Sequence, residues 1–425
     1  MDGDLTTHRA IEAVWRIESA RLIAGLARIV RDVGLAEELA QDALEIALKQ
    51  WPTSGIPDGP GAWLMATAKH RAIDLMRRKS RYERKLEEIG RDLETQPSWV
   101  ELDDSEIDDH IGDDMLRLVF IACHPVLSTE ARVALSLRLL LGLTTDEIAR
   151  AFLVSEPTVA QRIVRAKRTL ARKRIPFEMP EPDELRDRLS SVLQTIYLVF
   201  NEGYAATAGD DWMRPSLCNE ALRLGRIVAG LMPTEPEVHG LVALMEIQAS
   251  RLRARTGPGG EPVLLMDQDR SRWDRLLIRR GLDALDRALE HPGAPGPYTL
   301  QAAIAACHAR ALKPEETDWK QIAGLYEALA IVSPSPVVEL NRAVAVGMAA
   351  GPAEGLELAD ALLDEYTLAN YALLPAVRGE FLEKLDRLDE ARAAFERAAA
   401  LTRNERERAL FLERAAAARR SDRQL

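Results

Sequence analysis

The sequence predicts an all-α fold, on three observations. Alanine, leucine, arginine and glutamate dominate the 425 residues, and few stretches alternate in the manner of β-strands. Apolar residues recur at helical spacing along most of the chain. Stretches rich in Pro, Gly or acid interrupt that spacing at intervals, which suits two to four helical domains. A hydrophobic fraction of 47% is ample to bury their cores, with only 5% aromatic residues to help.

The first well-marked helix is "LAEELAQDALEIALKQW", residues 35 to 51. Leu39, Ala40, Ala43, Leu44, Ala47 and Leu48 form its core face, and Glu38, Gln41, Asp42 and Glu45 its exposed polar face. Next comes "GAWLMATAKHRAIDLMRRKSR", residues 61 to 81. Its expected buried stripe is Leu64, Ala68, Ala72 and Leu75, with His70, Asp74, Arg77 and Arg81 opposite and Arg71 and Arg78 beside them. From Lys69 to Lys85 there are eight cations and two acids. An acidic helix face beside a basic one suggests two partners, a basic protein surface and nucleic acid.

From Leu86 to Asp114 the balance reverses. Twelve acids face one base, Arg91, so the stretch carries −11, equal to the formal charge of the whole chain. Gly90, Pro97 and Gly112 interrupt it and helical periodicity is missing, which predicts a flexible acidic linker or a plain solvating spacer.

Residues 143 to 173 then read "LTTDEIARAFLVSEPTVAQRIVRAKRTLARK". Thr144 and Glu147 fit a capping box, so a helix is expected from there to about Phe152. Ser155 can cap a second helix, with Pro157 in its first turn. On that helix Val159, Ile163, Ala166 and Leu170 share the apolar face, and Gln161, Arg165, Arg168 and Arg172 point the other way. Seven Lys or Arg and no acid fall between Arg162 and Arg174. Two short helices, a tight turn and a basic outer face describe a helix-turn-helix, whose second helix enters the major groove. A helical hairpin with a solvated basic face is the plainer alternative.

"PFEMPEPDEL", residues 176 to 185, marks a boundary. Helical periodicity resumes in "RLSSVLQTIYLVFNEGYAATAGDD", where Gly203 is expected to end the helix and Tyr197, Phe200 and Tyr204 to be core. "RTGPGGEP" at 255–262 reads as an exposed loop and "HPGAPGP" at 291–297 as a further break. Towards the C-terminus "DEARAAFERAAAL", residues 389 to 401, with Gly379 upstream, fits the second helix of a tetratricopeptide repeat through Ala391, Phe395 and Ala398. Weaker copies centre on Ala359 and Tyr326, close to the 34-residue period, and Pro334 falls near a repeat end.

Other classes lack support. There is no His-Glu-x-x-His, Gly-rich phosphate loop or Gly-x-Ser-x-Gly, so no catalytic site, cofactor or metal is expected. Cys123, Cys218 and Cys307 are odd in number and far apart, which predicts buried thiols in a reducing compartment. Cys123 and His124 are adjacent, a poor geometry for sharing a metal. No stretch approaches eighteen apolar residues and the N-terminus lacks a signal-peptide pattern, so no membrane partner and a cytoplasmic location are expected.

The order of these parts resembles an extracytoplasmic-function (ECF) sigma factor of bacterial RNA polymerase, of the subgroup with a C-terminal tetratricopeptide-like extension. "AEELAQDALEIAL", "GAWLMATAKHRAIDLMRRKSR", the acidic linker and "SEPTVAQRIVRAKR" carry the resemblance, over roughly residues 10 to 175. It implies an all-α chain in four parts. A sigma domain 2 helical bundle spans 10–82, a linker 83–114 and a sigma domain 4 helix-turn-helix 115–175, followed by a helical-repeat, TPR-like domain at 183–425. Glu38, Gln41, Asp42 and Glu45 would bind core RNA polymerase. Lys69, Arg71, Arg77 and Arg78 would meet the phosphates of the opened minus-ten strand, with His70 and Asp74 on the base-facing side. Trp63 would serve as a stacking platform or as core. Thr158, Gln161 and Arg162 would read the minus-thirty-five promoter DNA, supported by Arg165 and Arg168. Members often carry a basic residue where this chain has Ala160, a departure that leaves the promoter sequence open. The acidic linker would occupy the polymerase's RNA channel. The extension would regulate initiation through an unknown protein partner or the chain's own sigma domains.

Two other readings stay open on the residues alone. One is a conventional helix-turn-helix regulator with a ligand- or protein-sensing TPR-like domain. The other is a repeat scaffold with an incidental basic hairpin.

Overall fold

The computed structural model describes residues 2–87, 111–152, 154–206 and 212–421. Of the linker expected at 83–114, residues 88–110 lie outside them, and its two ends, 83–87 and 111–114, are helical rather than irregular. Among the described residues there are eighteen α-helices, and the only strand-like pairing is an isolated bridge between Thr256 and Pro262. No described helix is long and apolar enough to cross a membrane. The chain divides into two compact units, Met1–Ile196 and Tyr197–Leu425.

In the first unit α1 (Asp2–Val30), α2 (Val33–Ser54) and α3 (Pro60–Glu87) pack against one another as a bundle. Asp32 starts α2 by accepting the Leu35 N–H at 2.9 Å, and Gly55, at φ 83°, stops it. The core face of α2 is Ala36, Ala40, Ala43, Ala47 and Trp51, each 2% exposed or less. Leu44 and Leu48, expected in that core, sit about 100° round the helix from it, and Leu48 is exposed. On α3, Leu64, Ala68 and Ala72 are buried as expected, but Leu75 is 40% exposed, so the stripe ends at Ala72.

Four helices follow: α4 (Ile111–Ala122), α5 (Thr129–Leu139), α6 (Thr145–Phe152) and α7 (Glu156–Arg172). The capping box closes as its residues predict. The Thr144 N–H donates to Glu147 Oε2 at 2.8 Å, and the Glu147 N–H to Thr144 Oγ1 at 3.1 Å. Ser155 occupies the N-cap of α7, yet its hydroxyl bonds Thr158 Oγ1 at 2.8 Å instead of a backbone N–H. Val159, Ile163, Ala166 and Leu170 are all buried beneath α7.

The boundary between the units falls inside α8 (Leu185–Tyr204). That helix ends one residue beyond Gly203, where glycine serves close approach rather than a turn. A Cβ there would lie 2.7 Å from the Cys218 backbone nitrogen on α9 (Pro215–Leu231). Phe200 is core as expected, whereas Tyr197 and Tyr204 are half-buried. In the second unit α10 (Pro236–Ala249) is buried on nearly every face between α9, α11 (Arg275–Leu289) and α12 (Pro297–Arg310). Residues 255–262 do form a loop, but Arg255 is only 6% exposed, because its guanidinium is stacked between Tyr204 and Trp212.

Beyond α12, α13 (Trp319–Val332), α14 (Pro336–Ala349), α15 (Pro352–Asp360), α16 (Leu373–Lys384), α17 (Leu388–Leu401) and α18 (Glu405–Ser421) each pack on the next in sequence order. Ala391, Phe395 and Ala398 are buried on α17, Ala359 on α15, and Tyr326 is half-buried on α13. Pro334 stands between α13 and α14. Cys123, Cys218 and Cys307 are buried free thiols, with Cys218 pushed up to about 12 by burial.

A close approach in this series joins α14 and α15. A Cβ on Gly355 would lie 2.6 Å from the Phe381 ring and 2.7 Å from Gly347 Cα. Gly355→Ala should therefore destabilise the C-terminal unit by about 1–3 kcal/mol through overpacking. Urea titration followed by circular dichroism checks this, and an unchanged midpoint would mean the helices can separate freely here.

Candidate nucleic-acid interface

With its apolar side buried, α7 turns its other side to solvent. Gln161, Arg165 and Arg168 are exposed, and Thr158 and Arg162 half-buried at the margin. Among the described residues no carboxylate lies within ion-pair distance of Arg162, Arg165 or Arg168. Glu156 is held at the start of the helix, where it accepts the Thr145 hydroxyl at 2.9 Å. The outer face of α7 thus carries Arg165 and Arg168 free of ion pairs, while Arg162 at its margin acts on Glu130 of α5 from beyond ion-pair distance, an arrangement suited to phosphates.

The α3 face is arranged differently. His70, Arg71, Asp74 and Arg77 are exposed and Lys69 half-buried, while the Arg78 side chain lies outside the described residues. Arg71 pairs with Asp42 of α2, so one cation of the basic face meets one acid of the neighbouring acidic face. Trp63 is half-buried and packs edge-on to Trp51, with ring centroids 5.3 Å apart. It therefore combines a core contact with an accessible flank.

On α2, Glu38 and Glu45 are exposed, and Gln41 and Asp42 half-buried. Glu45 pairs with Lys49 at 2.5 Å, and that hydrogen bond lowers its carboxyl below the usual range. Gln41 is turned inward and donates to Glu37 Oε1 at 2.6 Å.

Glu37 is the residue that the sequence reading passed over. Its carboxylate is 3% exposed and pairs with Arg138 of α5 at 2.7 Å and with Lys167 of α7. One buried acid on the second helix thereby ties the first bundle to both helices that support the basic face. Two further links lie alongside: Arg28 of α1 pairs with Asp114 of α4 at 2.9 Å, and Arg16 of α1 with Glu147 of α6. A signal was present, because Glu37 stands among Val33, Ala36 and Ala40 on a face otherwise apolar. An acid there needs a partner from elsewhere in the chain.

Residues 17–82 match the family model described as Sigma-70 region 2, and residues 117–170 that described as Sigma-70, region 4. Residues 188–289 match a family of unknown function, DUF6596. The chain is 47% identical over 389 residues to Uncharacterized protein R00370 of Rhizobium meliloti (strain 1021), covering 91% of this chain and 90% of that one. ECF RNA polymerase sigma factor SigK of Mycobacterium ulcerans (strain Agy99) is 30% identical over 157 residues, 35% of this chain and 78% of its own. Probable ECF RNA polymerase sigma factor SigI of Mycobacterium tuberculosis (strain ATCC 25618 / H37Rv) is 27% identical over 171 residues, 40% of this chain and 58% of its own.

The chain belongs to the ECF sigma factors. A sigma factor directs transcription initiation, and the family implies core RNA polymerase and promoter DNA as partners. The region 2 match covers α2, most of α3 and the C-terminal half of α1 from residue 17 onward, and the region 4 match ends on α7. Glu37 therefore joins region 2 to region 4.

Removing one partner of a buried ion pair leaves the others uncompensated, at a typical cost of about 3–5 kcal/mol. Glu37→Ala in this sigma factor should destabilise the first unit on that scale, whereas Glu38→Ala, one position round and exposed, should change it by less than about 0.5 kcal/mol. Denaturant unfolding of both variants checks the contrast. Equal effects would mean that the junction contributes nothing specific.

Proposed function

We propose that this sigma factor reads its promoter with two faces and holds polymerase with a third. The observation that carries the reading is the outer face of α7, where Arg162, Arg165 and Arg168 make no ion pair among the described residues while the apolar face is buried. There Thr158, Gln161 and Arg162 read the minus-thirty-five duplex, and Arg165 and Arg168 meet its phosphates. On α3, Lys69, Arg71, Arg77 and Arg78 hold the phosphates of the opened minus-ten strand. His70 and Asp74 face its bases and Trp63 offers its accessible flank for stacking. Core polymerase takes the α2 face of Glu38, Gln41, Asp42 and Glu45, in the cytoplasm. The C-terminal unit regulates initiation as a protein-interaction domain, and the chain catalyses no bond chemistry itself.

This reading requires the first unit to open. Promoter elements centred near −10 and −35 are about 25 base pairs apart, or roughly 85 Å of duplex at ~3.4 Å per pair. Both α3 and α7 touch α2, and helices in contact have axes about 8–10 Å apart, so the two DNA-facing helices lie only about 20 Å apart. The Glu37 junction must part before both elements can be engaged.

A reversible crosslink tests function and opening together. A Cβ built on Gly34 of α2 lies 3.8 Å from Lys167 Cβ on α7, the usual Cβ separation of a disulfide. The Gly34→Cys/Lys167→Cys chain, oxidised, should bind core polymerase but lose initiation in vitro, and reduction should restore it. Initiation by the crosslinked form at the reduced rate would remove the opening step. If the reduced form and the natural chain both fail with core polymerase and promoters from the surrounding genes, the residue assignments fail. Arg165→Ala/Arg168→Ala should keep the fold and core binding while losing at least tenfold in initiation at low salt, a deficit that narrows as salt rises because the variant releases fewer counterions. A chain ending after α8 should initiate at a rate different from the full chain, and equal rates would remove the regulatory role.

A further inference from the structure

We propose that the C-terminal unit carries a binding site for a phosphate-bearing small molecule where Leu252–Ala254 and Arg270–Arg272 run side by side. Both segments are single 3-10 turns in contact with each other. Together with their flanks they bring Arg251, Arg253, Arg255, Arg270 and Arg272 into one cluster. The cluster falls within the match to the family of unknown function, outside both sigma regions.

The inner arginines are buried against neutral partners. Arg270 donates to the His308 carbonyl at 2.9 Å, the Ala311 carbonyl at 2.7 Å and Thr317 Oγ1 at 3.1 Å, and Arg251 to Gln248 Oε1 at 3.0 Å. Glu315 and Glu316 act on Arg270 only from beyond ion-pair distance. Arg255 and Arg270 are 6% and 4% exposed, and Arg251 is half-buried. Aromatic faces hold them. Arg255 lies 3.5 Å from the Tyr204 centroid and 4.5 Å from that of Trp212. Arg251 and Arg270 flank Trp273 at 5.7 and 5.0 Å. Among the described residues no carboxylate lies within ion-pair distance of any of the five guanidiniums. Buried Arg251 Nε, Arg255 Nη1 and Arg270 Nε have no hydrogen-bond acceptor. His308 beside them is held neutral, pushed down to about 3 by burial and by Arg251 and Arg270.

The acids in the same segments are held by backbone and hydroxyl donors, and Arg272 acts on Asp269 only from beyond ion-pair distance. Asp269 Oδ1 accepts the Ser271 N–H and hydroxyl, and Asp274 Oδ1 accepts the first N–H groups of α11. Beside Trp273 opens a cavity of about 640 Å³ lined by Arg253, Ser271, Arg272, Trp273 and Asp274. Arg253 and Arg272, both exposed, stand at its mouth.

Ring faces offset the desolvation of a buried guanidinium only in part, because a quadrupole attracts a cation less strongly than an anion does. A fold that collects five guanidiniums and gives the inner ones only neutral oxygens and ring faces at contact distance holds a positive potential suited to an anion. Arginine forks match the oxygen geometry of phosphate, and the cavity is of the size small ligands use. The site goes beyond the transcription reading and stands independently of it, since its test is a binding measurement.

Isothermal titration of the full chain with inorganic pyrophosphate, at ionic strength matched with KCl, tests the site. The natural chain should show saturable binding that weakens as salt rises. Arg253→Ala/Arg272→Ala removes two exposed side chains and should weaken that binding at least tenfold. Arg397→Ala/Arg403→Ala removes the same charge from exposed positions elsewhere and should leave it unchanged. Absence of saturable binding, or equal weakening in both double variants, would overturn the assignment.

Discussion

A single buried carboxylate organises the first half of this molecule. Glu37 meets Arg138, Lys167 and Gln41 and so ties helices of region 2 to helices of region 4. Such a pair adds little net stability, because desolvation consumes most of its Coulomb energy, but losing one partner is costly. It therefore fixes the way the two regions meet. A polar junction also differs from an apolar one in how it parts. Charges released to water recover their hydration, whereas separated apolar faces gain nothing. A contact of this chemistry can hold two regions together in the free protein and still be surrendered to a competing partner.

Charge is segregated along the chain rather than balanced residue by residue. The acidic stretch from Leu86 to Asp114 carries a formal −11, so the remainder is neutral in sum. Within that remainder, Arg165 and Arg168 on the outer face of α7 make no ion pair among the described residues, while Arg71 of α3 leans on Asp42 of α2. An exposed pair of this kind is worth at most about 1 kcal/mol, so it hinders neither partner from taking its own target. Its interest is positional, since it links the face proposed for polymerase with the face proposed for DNA.

The C-terminal unit solves burial in another way. Its helices are rich in alanine and glycine, which allow close axes, and its core passes from each helix to the next instead of gathering at one centre. Where large polar groups enter, aromatic rings receive them. Tyr204, Trp212 and Trp273 give three arginines a packed environment without supplying a negative charge. That is an unusual use of so few aromatic residues, and it sets this region apart from the small-residue stack that follows.

Local chemistry was legible in the sequence. The helical class, the Thr144–Glu147 capping box, the buried face of α7 and the order of parts that resembles an ECF sigma factor all follow from short-range spacing, because periodicity and caps depend on neighbouring residues. What spacing misjudged, or left unread, was set by contacts distant in the chain. Leu48 and Leu75 lie where no described helix covers them. Arg255, in a loop that reads as exposed, is buried because Tyr204 and Trp212 close over it. Glu37 looks like one more solvated acid until Arg138, 101 residues away, is placed beside it. Which faces exist is decided by residues a turn apart, while what covers a face, and which charge neutralises which, is decided only when the helices are brought together.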